Sequence, residues 1–159
     1  MRLVYLLSIL MSSPICAKEW KTEFFSISVP SEFEIEVTGE KYNFAAFVFD
    51  ERYGHPKEML VIEFGKTDDL KTFIRQGNDF LSELSENSGK LRQEPCKPKC
   101  SLYASEVDLR SEGSSKYHFL RVIQNDKHVY ALSYFGVRSK TYARNFLTKI
   151  MQQINANGI

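Results

Sequence analysis

Two cysteines four positions apart, three scattered histidines and a run of alternating glutamates are the residues of this 159-residue chain whose types could do chemistry. Cys96 and Cys100 lie in Glu94-Pro-Cys-Lys-Pro-Lys-Cys100, where Pro95 and Pro98 give the turn character that brings two sulfurs together. In an oxidising compartment the expected state is a Cys96–Cys100 disulfide. The spacing is Cys-x-x-x-Cys and not the Cys-x-x-Cys of thioredoxin-like redox sites, so the bond reads as a staple. Closing so short a loop stabilises the fold by about 2 kcal/mol, which makes its effect local.

The other constellations fall short of a reaction. His55, His118 and His128 share no metal-ligand spacing, and a zinc site needs three or four converging ligands. Glu32, Glu34 and Glu36 alternate with Phe33, Ile35 and Val37; such an acidic ladder usually solvates the outer face of a strand rather than holding a cation. Gly65-Lys66-Thr67 has the ending of a phosphate-binding loop, but the first glycine of that motif would fall at Leu60. It reads instead as a strand exit leading into a helix. Gly113-Ser-Ser-Lys116 reads as a loop, and no Gly-x-Ser-x-Gly elbow is present. The residues therefore predict no catalytic group, no resident metal and no cofactor.

The elements that would position any site follow from hydrophobic period. Phe24 to Val29, Glu32 to Val37, Asn43 to Phe49 and Met59 to Phe64 alternate as strands, the last two forming a hairpin across a polar stretch with Gly54 and Pro56. The period then changes. Leu70, Phe73, Ile74, Phe80, Leu81 and Leu84 recur at helical spacing to about Glu86, with Asp68 or Asp69 placed to cap the start. Gly77 inside this helix predicts close packing on a sheet, since glycine there costs about 1 kcal/mol relative to alanine. Leu102 to Leu109, Tyr117 to Gln124 and Val129 to Phe135 are further strands. The last two are joined at Asn125-Asp126, and a two-residue turn there would pair Gln124 with Lys127, Ile123 with His128 and His118 with Ser133. A final helix follows Ser139 as N-cap, with Tyr142, Ala143, Phe146, Leu147, Ile150, Met151 and Ile154 on one side, and Asn155 to Ile159 frays.

Residues 1–17, MRLVYLLSILMSSPICA, have the pattern of an export signal: Arg2, an apolar run from Leu3 to Met11, then a more polar stretch ending in a small residue. Cleavage is expected between Ala17 and Lys18. Lipidation at Cys16 is the alternative, but Ser13-Pro-Ile15 lacks the small residue favoured before a lipidated cysteine. The apolar run is too short to anchor the chain across a bilayer. The remainder suits one domain, residues 18–159, in the periplasm or outside the cell. A formal net charge of +1 gives no reason to expect a nucleic-acid partner. Arg92, Lys97 and Lys99 around the cysteine loop make a basic tip suited to an acidic surface. Tyr117, Tyr130, Tyr134 and Tyr142 are either core or the lining of a ligand groove.

The order strands, helix, strands, helix, joined mostly by hairpins, predicts an α+β fold with a mainly antiparallel sheet and helices packed on it. Phe25-Ser-Ile-Ser-Val-Pro30, the strand-helix step Met59 to Leu84, and Tyr130-Ala-Leu-Ser-Tyr134 before an amphipathic helix resemble the PsbP/Mog/DcrB-like superfamily over nearly all of residues 18–159. That resemblance implies an α/β/α sandwich serving as an assembly, envelope or binding module, and it transfers no catalytic set. The expected function is thus an exported non-enzymatic binding or assembly module with a protein or small-molecule partner. The alternative is a small secreted hydrolase or metal-dependent enzyme whose site is assembled from scattered residues.

Overall fold

The computed structural model describes residues 17–22, 25–36, 43–49, 56–84, 89–97, 100–111 and 114–156. The proposed leader up to Cys16, His55 and Lys99 lie outside the described residues.

Nine strands and two helices are described: β1 (Ala17–Lys21), β2 (Ser26–Pro30), β3 (Glu34–Glu36), β4 (Asn43–Phe49), β5 (Pro56–Lys66), α1 (Leu70–Leu84), β6 (Arg92–Glu94), β7 (Ser101–Ser111), β8 (Ser114–Gln124), β9 (His128–Gly136) and α2 (Lys140–Ala156). Seven strands form one antiparallel sheet in the order β3-β4-β5-β9-β8-β7-β6, and β1 pairs with β2 as a separate hairpin. The predicted α+β class is the observed one.

Strand alternation sends side chains to two faces, and each face meets a different helix. Leu60, Ile62, Phe119, Ile123, Tyr130, Leu132 and Tyr134 point to one side, where they are buried with Ala143, Phe146, Leu147, Ile150 and Ile154 of α2. The β1–β2 hairpin completes that layer through Phe25, Ile27 and Val29. Phe33 stacks on Phe146 with centroids 5.4 Å apart. On the opposite side Val107, Leu120, Val122 and Val129 pack with Leu81 and, more loosely, Phe73 and Ile74 of α1. Each fully buried aliphatic or aromatic side chain is worth about 1.5–3 kcal/mol, so the larger α2 layer dominates stability.

Both helices begin where local chemistry allows. A 3-10 turn at Thr67–Asp69 leads into α1, and Asp69 Oδ2 accepts the Lys66 N–H at 2.9 Å. Gly65 and Lys66 are the strand exit expected of them. Ser139 caps α2, its Oγ accepting the Tyr142 N–H at 3.2 Å. Gly77 also has its predicted role: a β-carbon there would lie 2.8 Å from Leu91 Cδ1 and 3.0 Å from Leu120 Cδ2. Its missing side chain is what lets α1 approach the sheet this closely.

Two expectations are corrected. The β8–β9 hairpin forms, but its register pairs Gln124 with Val129, Ile123 with Tyr130 and His118 with Phe135. The turn is shifted by one residue to Asp126-Lys127: the Asn125 N–H donates to His128 O at 3.0 Å, and Asn125 Oδ1 accepts the N–H groups of Lys127 (3.0 Å) and His128 (2.8 Å). The displacement is two residues, so every side chain keeps its face. Second, Ser114 to Lys116 belong to β8 and pair with Ser111 to Leu109 instead of forming a loop. Of the two readings of the tyrosines the core one holds: Tyr130 and Tyr134 are fully buried core, and Tyr117 and Tyr142 pack partly against that same core. The tyrosine groove does not form.

Strands β1 and β6 lack a sequence expectation. Both are short, and β6 is exposed throughout, so its pairing with β7 rests on backbone hydrogen bonds that leave no apolar period to read. The Cys96–Cys100 disulfide follows β6, with Cα atoms 5.4 Å apart. Replacing both cysteines by serine is expected to lower stability by about 2 kcal/mol while preserving the native circular dichroism spectrum. Gly77→Val should cost about 1–3 kcal/mol in denaturant unfolding, because the branched side chain must displace two buried leucines.

Candidate functional site

Because α1 lies over β8 and β9, the strip of sheet along β5 is flanked by the helix rather than covered by it. A cleft of about 450 Å³ opens there. Phe73, Gln76 and Phe80 of α1 form one wall, and Met59, Val61 and Glu63 of β5 form the other. Sheet register explains the second wall: Met59 stands opposite Phe135, Val61 opposite Ser133 and Glu63 opposite Ala131, all on the α1 face. Phe80 is 38% exposed, a large apolar side chain left at the edge of the cleft.

Ser133 lines the cleft and connects it to a buried polar group. Its Oγ lies 2.8 Å from His118 Nε2, a diagonal contact between β9 and β8. The His118 ring is fully buried between Phe135, at 4.3 Å between centroids, and the Phe80 edge at 5.2 Å. Burial first, and the nearby Arg121 charge second, push its pKa down to about 4. The imidazole is therefore neutral at physiological pH. Its Nδ1 has no hydrogen-bond partner among the described residues.

A serine bonded to a neutral imidazole is half of an acyl-transfer site, and the geometry shows which parts the described residues supply. A working base needs a third group on its other nitrogen, which Nδ1 lacks here. It also needs donors for an oxyanion. β9 is paired on both sides, with β5 and β8, so the backbone N–H groups around Ser133 are engaged in the ladder.

The opposite face carries charge, but as structural pairs. Glu58 is 1% exposed and accepts from Tyr134 Oη at 3.1 Å and from Arg138 Nε. Arg138 also bonds Glu32 at 3.1 Å and lies over the Tyr142 ring, which fastens the start of α2 to β5 and to the chain before β3. Gly136 makes room for this, since no β-carbon fits against the Tyr134 phenol. Glu106 receives Arg144 and the buried Arg121 together; those hydrogen bonds, Arg144 foremost, hold its carboxyl below the usual range. Glu58 and Arg121 are the buried members of these networks, so removing the partner of either is costly, whereas Arg144 with Glu106 is an exposed pair.

The remaining sequence candidates stay apart. His128 lies among the Phe64 and Tyr130 rings, at the end of β9 remote from His118. Among the described residues no three His, Cys, Asp or Glu side chains converge as metal ligands. Arg92 and Lys97 are exposed near the disulfide, as a basic tip requires. The cleft itself had only one sequence signal, the helical Gly77 that now lines it. No family model matches the chain, and no curated protein matches it.

The depressed His118 value makes stability depend on pH. The unfolded chain holds this proton near the ordinary 6.5 and the folded chain near 4, so the contribution is complete above pH 6.5 and lost as pH falls through 4. The loss is on the order of 3 kcal/mol. Chemical unfolding measured from pH 7 to 4 should show that decline, and His118→Phe should flatten it.

Proposed function

We propose that this protein is an exported, non-enzymatic binding module of the PsbP/Mog/DcrB-like kind, and that it takes a small, largely apolar ligand in the cleft beside α1. The observation that carries the reading is the cleft: about 450 Å³, walled by Phe73, Phe80, Met59, Val61 and Phe135 with few polar groups among them. Ligand sites of small molecules have this size and composition. Export is supported by the leader-like pattern of residues 1–17 and agrees with a disulfide at Cys96–Cys100. The superfamily resemblance is supported by a helix on each face of an antiparallel sheet.

A second reading, a small secreted hydrolase, is favoured by one contact, that of Ser133 Oγ with His118 Nε2. The two readings separate in one pair of measurements. An environment-sensitive apolar dye should bind the purified protein at one site, and Val61→Trp, which fills the cleft from β5, should weaken it by about ten-fold or more while the circular dichroism spectrum is unchanged. A fluorophosphonate probe should leave Ser133 unlabelled. Covalent labelling of Ser133 would establish the hydrolase reading in its place.

A further inference from the structure

The charge on the cleft lining has one sign. Glu63 is its single charged lining residue among the described residues, and no lysine or arginine among them lines it. The Glu63 carboxylate is exposed on β5, and no cation among the described residues forms an ion pair with it. Gln76 adds an amide oxygen, and Ser133 Oγ keeps lone pairs beside its bond to His118. Phe73 stands at the Glu63 end of the cleft, next to Gly65, while Phe80 and Phe135 stand together at the Met59 end.

That combination selects a sign of charge. Aromatic faces attract cations through their quadrupole, and a carboxylate at the rim adds a full charge of the same preference. A fatty acid would bring its own carboxylate toward Glu63, with nothing basic on the lining to receive it. An uncharged apolar ligand would leave Glu63 beside hydrocarbon with its hydration reduced. We propose that the cleft binds an organic ammonium ion with an apolar body, its nitrogen held by Glu63 and the Phe73 ring and its hydrocarbon lying along Val61, Met59, Phe80 and Phe135. This inference rests on the cleft being the binding site, and names the class of ligand.

Three probes of matched chain and fixed head-group charge test it by titration calorimetry on the purified protein, each below its micelle concentration: decyltrimethylammonium, decanol and decyl sulfate. The expected order places the cation about ten-fold tighter than decanol, with decyl sulfate weakest. Glu63→Gln, an exposed substitution with no packing cost, should reduce the cation to the affinity of decanol. Val61→Trp should remove binding of all three. Equal affinities for the three probes, preference for the sulfate, or a cation preference that survives Glu63→Gln would overturn the ammonium assignment while leaving the cleft as the site. Failure of every probe to bind, or binding unaffected by Val61→Trp, would overturn the cleft reading itself.

Discussion

The two-sided pairing of β9 is the constraint on which this structure depends. It lies in the middle of the seven-strand sheet, bonded to β5 along one edge and to β8 along the other. Its alternation divides the protein: Tyr130, Leu132 and Tyr134 enter the α2 core, while Val129, Ala131, Ser133 and Phe135 face α1. A slip of one residue would exchange those sets, placing two tyrosines under α1 and a serine in the larger core. The Asx geometry at Asn125 shifts the turn by one residue without changing that parity.

The two faces are finished differently, and the cleft follows from the difference. On the α2 side a helix and a hairpin together cover the sheet, and Glu58 with Arg138 and Glu106 with Arg121 and Arg144 tie the layers together. On the α1 side one fifteen-residue helix is drawn tightly onto β8 at Gly77, and the sheet along β5 is left beside it. Close approach at one strand thus leaves an apolar strip at another. His118 belongs to this face, a buried imidazole that stays neutral because burial and Arg121 both oppose its proton.

Much of the fold was legible because burial on a sheet imposes period two and burial on a helix imposes 3.6. β4, β5 and the strands from β7 to β9 announce themselves by alternation, and α1 and α2 by a change of period after a capping residue. Legibility fails where burial is not what forms the element. β6 is exposed at all three residues, and β1 offers only half-buried Trp20 among exposed neighbours. The turn falls one residue later than the dipeptide Asn125-Asp126 suggests, because the Asn125 side chain caps it from the flanking position. The cleft was out of reach for another reason: its walls come from α1, β5 and β9, and only their spacing in three dimensions makes a cavity. Met59, Val61 and Phe135 read in sequence as ordinary core positions.

The seating of α2 against the β1–β2 hairpin joins an early segment of this chain to a late one, with Ser28 N–H donating to Gln153 Oε1 at 2.6 Å. That closure has a consequence in time. A nascent chain that ends before Ser139 already contains every described strand, yet it lacks Phe146, Leu147, Ile150 and Ile154, so one face of its sheet has only the β1–β2 hairpin to cover it. The larger core closes only after α2 has been made. Vectorial synthesis from the N-terminus therefore delivers a chain whose larger core stays incompletely covered until α2 has been made.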